Sequence, residues 1–485
     1  MKRSLPHRLR AALGAAAIAM TALILSACRT GPDYAPPRPA GLADTGSAFR
    51  RAADLSTEAP VARWWQQLGD AHLDSLVDRA LRRSPSIAAA RAAVAQARAD
   101  SARARADLLP TLSATTGYIY ADLPSRGGGE DRTRFEYVTQ AFDAAWEIDL
   151  WGGKARAAER ARADAAAVQA RLEDAQVALS AEIVRTYVAL RARQASLLLV
   201  DRRIALESRI GDLESRRAAA GTGTRIAVER AARTLIASRA ERAALDADRM
   251  VLRDALATLV GDGPGTLDDL PDGSVPLPPA TVAVGDPATM LARRPDLKAA
   301  ERMLAAATAQ IGVEQARRLP NISLTGLIGI GGTGLDDAFD PPRLAAVALP
   351  RLSWSFLDFG RSAARVRGAK AGRDVALARY QAAVLAALQD AEAALTRYGA
   401  ARALLGHAVA DRAAATRLSG LQSMRAKAGT IAQKDALEDE RQALDAGLAQ
   451  VNRQAEMTIA YAALAKALGL GWMADDGAPK DGAAS

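Results

Sequence analysis

Residue types that usually carry chemistry are scarce in this 485-residue chain, which has one cysteine and three histidines. Cys28 has no second thiol to pair with, so it makes no internal disulfide. His7, His72 and His407 are too scattered to read as one metal-ligand set. The sequence holds no HExxH, no phosphate-binding P-loop, no GxSxG and no paired-cysteine zinc spacing. Asp358-Phe359-Gly360 spells a kinase tripeptide, but no glycine-rich loop or His-Arg-Asp accompanies it. Gly221-Thr222 and Gly429-Thr430 form Gly-Thr turns without the lysine of a phosphate loop. The expectation is a protein that is not an enzyme, with no metal and no non-covalent cofactor.

The one thiol sits in an informative place. Lys2, Arg3, Arg8 and Arg10 precede an apolar run from Ala11 to Leu25, too short for a spanning helix and suited to a signal-peptide core. Residues 1–27 therefore read as a signal peptide. Leu25-Ser26-Ala27-Cys28 resembles a bacterial lipobox, which implies a covalent lipid on Cys28. Arg29, where an aspartate would retain such a protein at the inner membrane, implies sorting to the outer membrane. The competing reading is a free thiol behind an ordinary signal. Pro32, Pro36, Pro37 and Pro39 then favour an extended segment, so residues 28–63 read as lipid anchor and tether.

The elements beyond are duplicated. Pro85 to Ser113 and Pro295 to Ser323 align without a gap at a spacing of 210, including Leu109-Pro110 with Leu319-Pro320. Trp146/Trp354, Gly152/Gly360, Gly221/Gly429, Arg233/Arg441 and Gly261/Gly469 align at 208. One supersecondary unit used twice is the simplest source. The repeats divide the chain into residues 64–288 and 289–472, with a tail at 473–485 that reads as disordered. Aromatics at 4% and charged residues at 25% suit long helices better than a thick globular core. A net charge of +9 with no cationic, aromatic-interleaved patch excludes a nucleic-acid surface.

Within each repeat, periodicity predicts a short helix, two strands, a long helix, a Gly-Thr turn and a shorter helix. The strands are expected at Thr111 to Ala121 and Phe135 to Asp149. The second pair begins with the alternation of Ile322, Leu324, Gly326, Ile328 and Ile330. It returns with Leu352, Trp354 and Phe356 on one face. Such segments with aromatics near their ends suit a membrane β-barrel, and also half-exposed soluble hairpins. The long helices run from Gly152 to Ala219, with apolar residues at Ile183, Leu190, Leu197 and Ile204, and from Gly360 to Ala428. Helices of that length approach 100 Å, about 1.5 Å per residue. Laid out this way, each half predicts a rod with a β end. Four strands cannot close a barrel, and open edges are not tolerated in lipid, so several copies are required. Three copies give about twelve strands, within the known barrel range, and two or four also satisfy the count.

Several motifs together resemble the bacterial outer-membrane efflux protein family (TolC-like), in its NodT-type lipoprotein branch. They are Leu25-Ser26-Ala27-Cys28, Gly31-Pro32-Asp33-Tyr34, and Trp64-Trp65 followed by Gly69-Asp70, Leu73, Leu76 and Val77. Arg293 to Gly326 and Leu468-Gly469-Leu470-Gly471-Trp472 complete the set. The resemblance implies a mainly α protein with membrane β-structure. It would be a homotrimer with a twelve-stranded outer-membrane barrel and a long periplasmic α-barrel. It would be the passive exit duct of a tripartite system for drugs or other small molecules in a Gram-negative outer membrane. The implied partners are a periplasmic adaptor, an inner-membrane resistance–nodulation–division pump and outer-membrane lipid. It also implies a ring of acidic side chains closing the periplasmic end, on the helix after the second turn. Matching from Gly429 places that position at Glu438, with Arg441 on the same face. Lys434, one turn earlier, departs from the apolar residue of some relatives, and as an i, i+4 partner it would mute the acidic ring. All three also read as ordinary solvated charges. The alternative function is a lipid-anchored periplasmic adaptor, which would normally carry one helical hairpin rather than two.

Overall fold

The computed structural model describes residues 29–37, 48–52, 55–124, 132–333, 340, 342 and 344–472. Cys28, the signal segment 1–27 and the tail 473–485 lie outside the described residues. A 3-10 turn, Trp64–Leu68, precedes α1 (Ala71–Arg83) and α2 (Pro85–Ala106). Then come β1 (Thr111–Pro124), β2 (Arg132–Ile148), α3 (Gly153–Ala219) and α4 (Arg225–Val260). The second copy supplies α5 (Pro287–Arg293), α6 (Pro295–Ala316), β3 (Asn321–Gly332) and β4 (Leu344–Ser353). It closes with α7 (Arg361–Lys427) and α8 (Gln433–Ala467). The long helices α3 and α7 have 67 residues each. The duplication is thus structural, and α5, which periodicity does not mark, is the counterpart of α1. No described helix is long and apolar enough to cross a membrane.

The chain divides into two compact units. One combines residues 29–37, 94–168 and 299–380, and contains a single antiparallel sheet of order β1-β2-β3-β4. Its register shows the repeat. Thr111 pairs with Ala145 in the first hairpin, and their counterparts Asn321 and Ser353 pair in the second. Both alignment offsets, 210 for the first strand and 208 for the second, therefore hold in hydrogen bonds. Trp146 donates its indole N–H to the Leu108 carbonyl (3.0 Å), and Trp354 donates to the equivalent Arg318 carbonyl (3.1 Å). Even-numbered residues share one face, including Ala114, Phe142, Trp146, Leu324, Ile328 and Leu352. Ser113, Thr115, Asp143, Ser323, Thr325 and Arg351 share the other. The alternation is partial: Ile119, Phe135, Leu327, Val347 and Leu349 also lie on the second face, and Asp122, Glu136 and Gln140 on the first. β4 ends at Ser353, so Trp354 and Phe356 come after the strand rather than lying in it. β3 begins at Asn321, opposite Ser353, and leaves them no partner.

Residues Arg29 to Tyr34 are docked on this unit. Arg156 on α3 is 1% exposed. It donates to the carbonyls of Thr30 (3.0 Å) and Gly31 (3.2 Å) and to Asp33 Oδ1 (2.7 Å). Glu159 accepts from both Arg156 (2.9 Å) and Arg29 (3.0 Å). Gly31 has φ +92°, and a Cβ there would stand 2.5 Å from Gly312 Cα. Tyr34 donates to Glu301 Oε1 at 2.7 Å; burial first, and then this carboxylate, push its phenol pKa up.

The other unit combines residues 48–52, 55–93, 169–298 and 381–472. Trp64 and Trp65 are buried and meet edge to face at 6.0 Å, and Tyr461 meets Trp64 edge to face at 5.5 Å. Asp70 caps α1 by accepting from His72 and Leu73 N–H, and also accepts from the Tyr187 hydroxyl at 2.6 Å. Leu73, Leu76 and Val77 form the buried face of α1. Arg294 donates to the Ala467 carbonyl at 2.8 Å and so ties the last turn of α8. Gly469 (φ +71°) passes so close to Arg294 that a Cβ would lie 2.9 Å from its Cγ. Buried Ile183, Leu190 and Leu197 with half-buried Ile204 form the stripe of α3.

Arg156→Ala leaves the Thr30 and Gly31 carbonyls without their donor. It should destabilise the protein by about 1–3 kcal/mol. The check is a denaturant midpoint together with protease cleavage near residues 35–37. An unchanged midpoint and unchanged protection would refute the clamp.

Candidate gate at the helical hairpin turns

All the charged residues singled out on α8 lie in the helical unit, beside the two Gly-Thr turns. The turns are built alike. Gly221 (φ +75°) and Gly429 (φ +71°) are in the left-handed region, where a side chain would be strained. Thr222 N–H donates to the Arg217 carbonyl (2.9 Å), and Thr430 N–H to the equivalent Arg425 carbonyl (3.0 Å). Each threonine hydroxyl donates to the same acceptor, at 3.2 and 3.0 Å. Backbone turn and side chain therefore close both helix ends identically.

The turns differ on their far side. Thr224 caps α4 by accepting from Ala227 N–H at 3.2 Å. Its counterpart Ala432 has no side chain with which to cap α8. Replacing a threonine cap by alanine costs about 0.5–2 kcal/mol, so α8 begins less firmly than α4. Asp435 in the first turn of α8 offsets part of this through the helix dipole. The contrast is readable in the sequence at the 208-residue offset, where Thr224 aligns with Ala432.

Charge differs too. Lys434 replaces Ile226, and Glu438 replaces Arg230. Arg230, Lys434, Glu438 and Arg441 line one groove of about 330 Å³, with Glu207 and Glu214 of α3 at its base. Glu214 and Glu207 are only 2% and 3% exposed. Lys434 Nζ lies 3.1 Å from Glu214 Oε1 and 3.7 Å from Glu438 Oε1. The Glu214 contact leads in raising the lysine pKa, with Glu438 contributing less. The i, i+4 pair expected from sequence therefore forms, but Lys434 is committed mainly to the buried carboxylate. Glu438 stays half exposed. Periodicity on α8 alone could not find Glu214, which lies on α3 near the other turn.

Arg441 is held by Asp445 at 3.1 Å. Asp445 also accepts from Arg203 at 3.0 Å, and Arg203 contacts Glu241 as well. One buried arginine on α3 thus joins α4 and α8. Leu206 and Ile210 of α3 pack on Leu437 of α8 beside this network. The arrangement offers charge pairs that hold helices together, with no nucleophile and no general base in a substrate pocket. Among the described residues, no group of three or more His, Cys, Asp or Glu could hold a metal.

Comparison with known proteins agrees with the fold. The family model described as outer membrane efflux protein matches residues 76–262 and 287–470, one match per repeat. The pyoverdine export outer membrane protein OpmQ of Pseudomonas aeruginosa is 28% identical over 93% of this chain and 96% of its own length. OprJ, an outer membrane protein of the same organism, is 29% identical over 95% and 96%. The solved outer-membrane channel OprN superposes with a TM-score of 0.82 at 32% identity, covering 92% of this chain and all of that one. The open-state MtrE channel of Neisseria gonorrhoeae gives 0.80 at 26%, covering 92% and 98%. Two helical hairpins and strands of membrane length exclude the adaptor alternative. The chain belongs to the outer membrane efflux protein family and is an outer-membrane efflux channel, not an enzyme.

Proposed function

We propose that three copies of this chain form a passive exit duct, fed by an inner-membrane resistance–nodulation–division pump through a periplasmic adaptor. In this reading residues 1–27 are removed, Cys28 carries lipid in the outer membrane, and the helical part stands in the periplasm. The observation that carries the assembly is a four-stranded sheet whose two outer edges are unpaired among the described residues. Three copies turn it into a closed barrel of about twelve strands. The docked segment at Arg29–Tyr34 supports the anchor, because it fixes the backbone next to Cys28 against the strand-bearing unit.

The second Gly-Thr turn is the gate. Its helix lacks a side-chain cap and presents a half-exposed carboxylate at Glu438. The first turn presents a capped helix and Arg230. Lys434 acts on the gate through Glu214 by tying the start of α8 to α3. Because the Lys434 pKa is raised, this tie is at full strength at neutral pH. It is lost only as pH climbs through the raised value, above the ordinary lysine range.

Planar-bilayer recording tests the gate. Glu438→Ala should raise the open probability and weaken block by added divalent cations; unchanged closure and unchanged cation response would refute the role. Ala432→Thr restores a cap and should stabilise the hairpin by about 1 kcal/mol, lowering open probability. Lys434→Met, which leaves buried Glu214 with only the longer 3.6 Å contact to Arg217, should cost roughly 1–3 kcal/mol. Adding Glu214→Gln should recover most of that loss in a denaturant double-mutant cycle. For the anchor, fatty-acid labelling of the wild type and its absence in Cys28→Ser is the expected result.

A further inference from the structure

The groove beside the second Gly-Thr turn holds charges that its ion pairs leave over. Glu207, Glu214 and Glu438 line it together with Arg230, Lys434 and Arg441. Three carboxylates thus face three cations, which favours neither a net cation nor a net anion. Two of the cations are committed: Lys434 lies 3.1 Å from Glu214, and Arg441 lies 3.1 Å from Asp445. Arg230 is exposed and makes no ion pair among the described residues. Glu207 is 3% exposed, and its one ion-pair contact among the described residues is a long one, 3.9 Å from Oε1 to Arg203 Nε. Its other oxygen, Oε2, is buried and accepts no hydrogen bond from any described residue. Ile210 of α3 and Ala227 and Ala231 of α4 give the same groove an apolar wall. The helical hairpin does not require this carboxylate. At the offset of 208, Glu207 corresponds to Ala415 and Glu214 to Gln422 on α7, a helix of the same 67 residues. A buried carboxylate is costly unless a partner meets its charge, and the second repeat avoids that cost.

We propose that this groove binds a small zwitterion, with its ammonium on Glu207, its carboxylate on Arg230 and its apolar body against Ile210, Ala227 and Ala231. The ammonium gives Oε2 the N–H it lacks, in a charge-assisted hydrogen bond of the stronger kind. The Arg230 guanidinium matches a carboxylate with two parallel N–H···O bonds. The Thr234 hydroxyl already donates to the Arg230 carbonyl at 3.1 Å, so its oxygen is left to accept a second ammonium proton. A lone cation would be repelled by Arg230, and a lone anion by Glu207 and Glu438. A ligand carrying both charges meets neither penalty. At about 330 Å³ the groove stands at the small end of ligand pockets, about 300–1,000 Å³, which suits a molecule of amino-acid size. The site requires nothing of Glu438 in closure and is separable from the gate.

Isothermal titration of the purified full-length channel with L-phenylalanine reads the site. Phenethylamine and 3-phenylpropionate serve as probes that each lack one charge. L-Phenylalanine should bind, and each single-charge probe should bind about tenfold more weakly. Glu207→Gln keeps the shape of the side chain and should weaken L-phenylalanine and phenethylamine about tenfold while leaving 3-phenylpropionate unchanged. Arg230→Gln, on the exposed rim, should weaken L-phenylalanine and 3-phenylpropionate while sparing phenethylamine. If Glu207→Gln fails to fold, the split between probes in Arg230→Gln still decides. No saturable binding of L-phenylalanine to the wild type overturns the site. Equal affinity in the wild type and both variants also overturns it, since the binding then lies elsewhere. Phenethylamine bound as tightly as L-phenylalanine reduces the groove to a cation site and overturns the zwitterion. None of these outcomes bears on the gate, which the Glu438→Ala recording decides.

Discussion

A strand that faces hydrocarbon must hydrogen-bond along both edges, since no water is there to satisfy a free N–H or C=O. Each chain brings four strands and satisfies three of the ladders they require. Everything else in the strand-bearing unit is subordinate to that constraint. Phe142, Trp146, Leu324, Ile328 and Leu352 give the helix-proximal part of β2 to β4 an apolar stretch on one face. Trp146 and Trp354 fasten the returning strands to the ends of the preceding helices through their indole N–H groups. Of the two edge strands, β1 has 14 residues and β4 has 10. Past the end of β4 the sequence continues the apolar alternation through Phe356.

A second theme is the burial of irregular backbone by arginine. With aromatics at 4% of residues, the chain has few large side chains to cover a loop. Alanine-rich helices approach closely but leave the carbonyls of neighbouring segments to be satisfied. Arg156 takes the Thr30 and Gly31 carbonyls, Arg294 takes Ala467, and Arg191 takes Pro271. In each case the guanidinium offers several donors in a fixed fork, and its stem packs as an apolar group. Glycines at the same places, Gly31 and Gly469, let the backbone come within contact distance where a Cβ would collide. Polar residues at the foot of a helix thus do the work that bulky apolar residues do in thicker cores.

Much of this is legible in the sequence because the duplication encodes it. The offsets of 210 and 208 locate the strands, the turns and both long helices, and they foreshadow the hairpin registers to the residue. The features that escape depend on chemistry between distant segments. Arg156 sits among Lys154, Arg160 and Arg162, and nothing in that run marks which cation is buried. Glu214 is one of several carboxylates on α3, and only the fold brings it to Lys434. The end of β4 escapes because alternation continues through Phe356 while the hydrogen-bond partner does not. A pattern of side chains shows which residues suit a strand; it carries no information on whether a neighbouring edge is present in the same chain.

The repeats match in length and turn geometry and diverge in the residues just past each turn. That combination separates two requirements that would otherwise conflict. A tube built from repeated helices needs equal lengths, and α3 and α7 have them. The gate proposed at the second turn needs one end that holds and one that yields at modest energy. Thr224, Ile226 and Arg230 give the first copy a capped start. Ala432, Lys434 and Glu438 give the second an uncapped start held by a charge pair to a buried glutamate. A missing cap lowers the cost of fraying by about 0.5–2 kcal/mol, while a pair between a half-buried lysine and a buried carboxylate restores a comparable amount. In the proposed gate, the balance between the two would set how easily α8 leaves α3. A partner or solute charge that competes for Lys434 would shift it without touching the backbone of the turn.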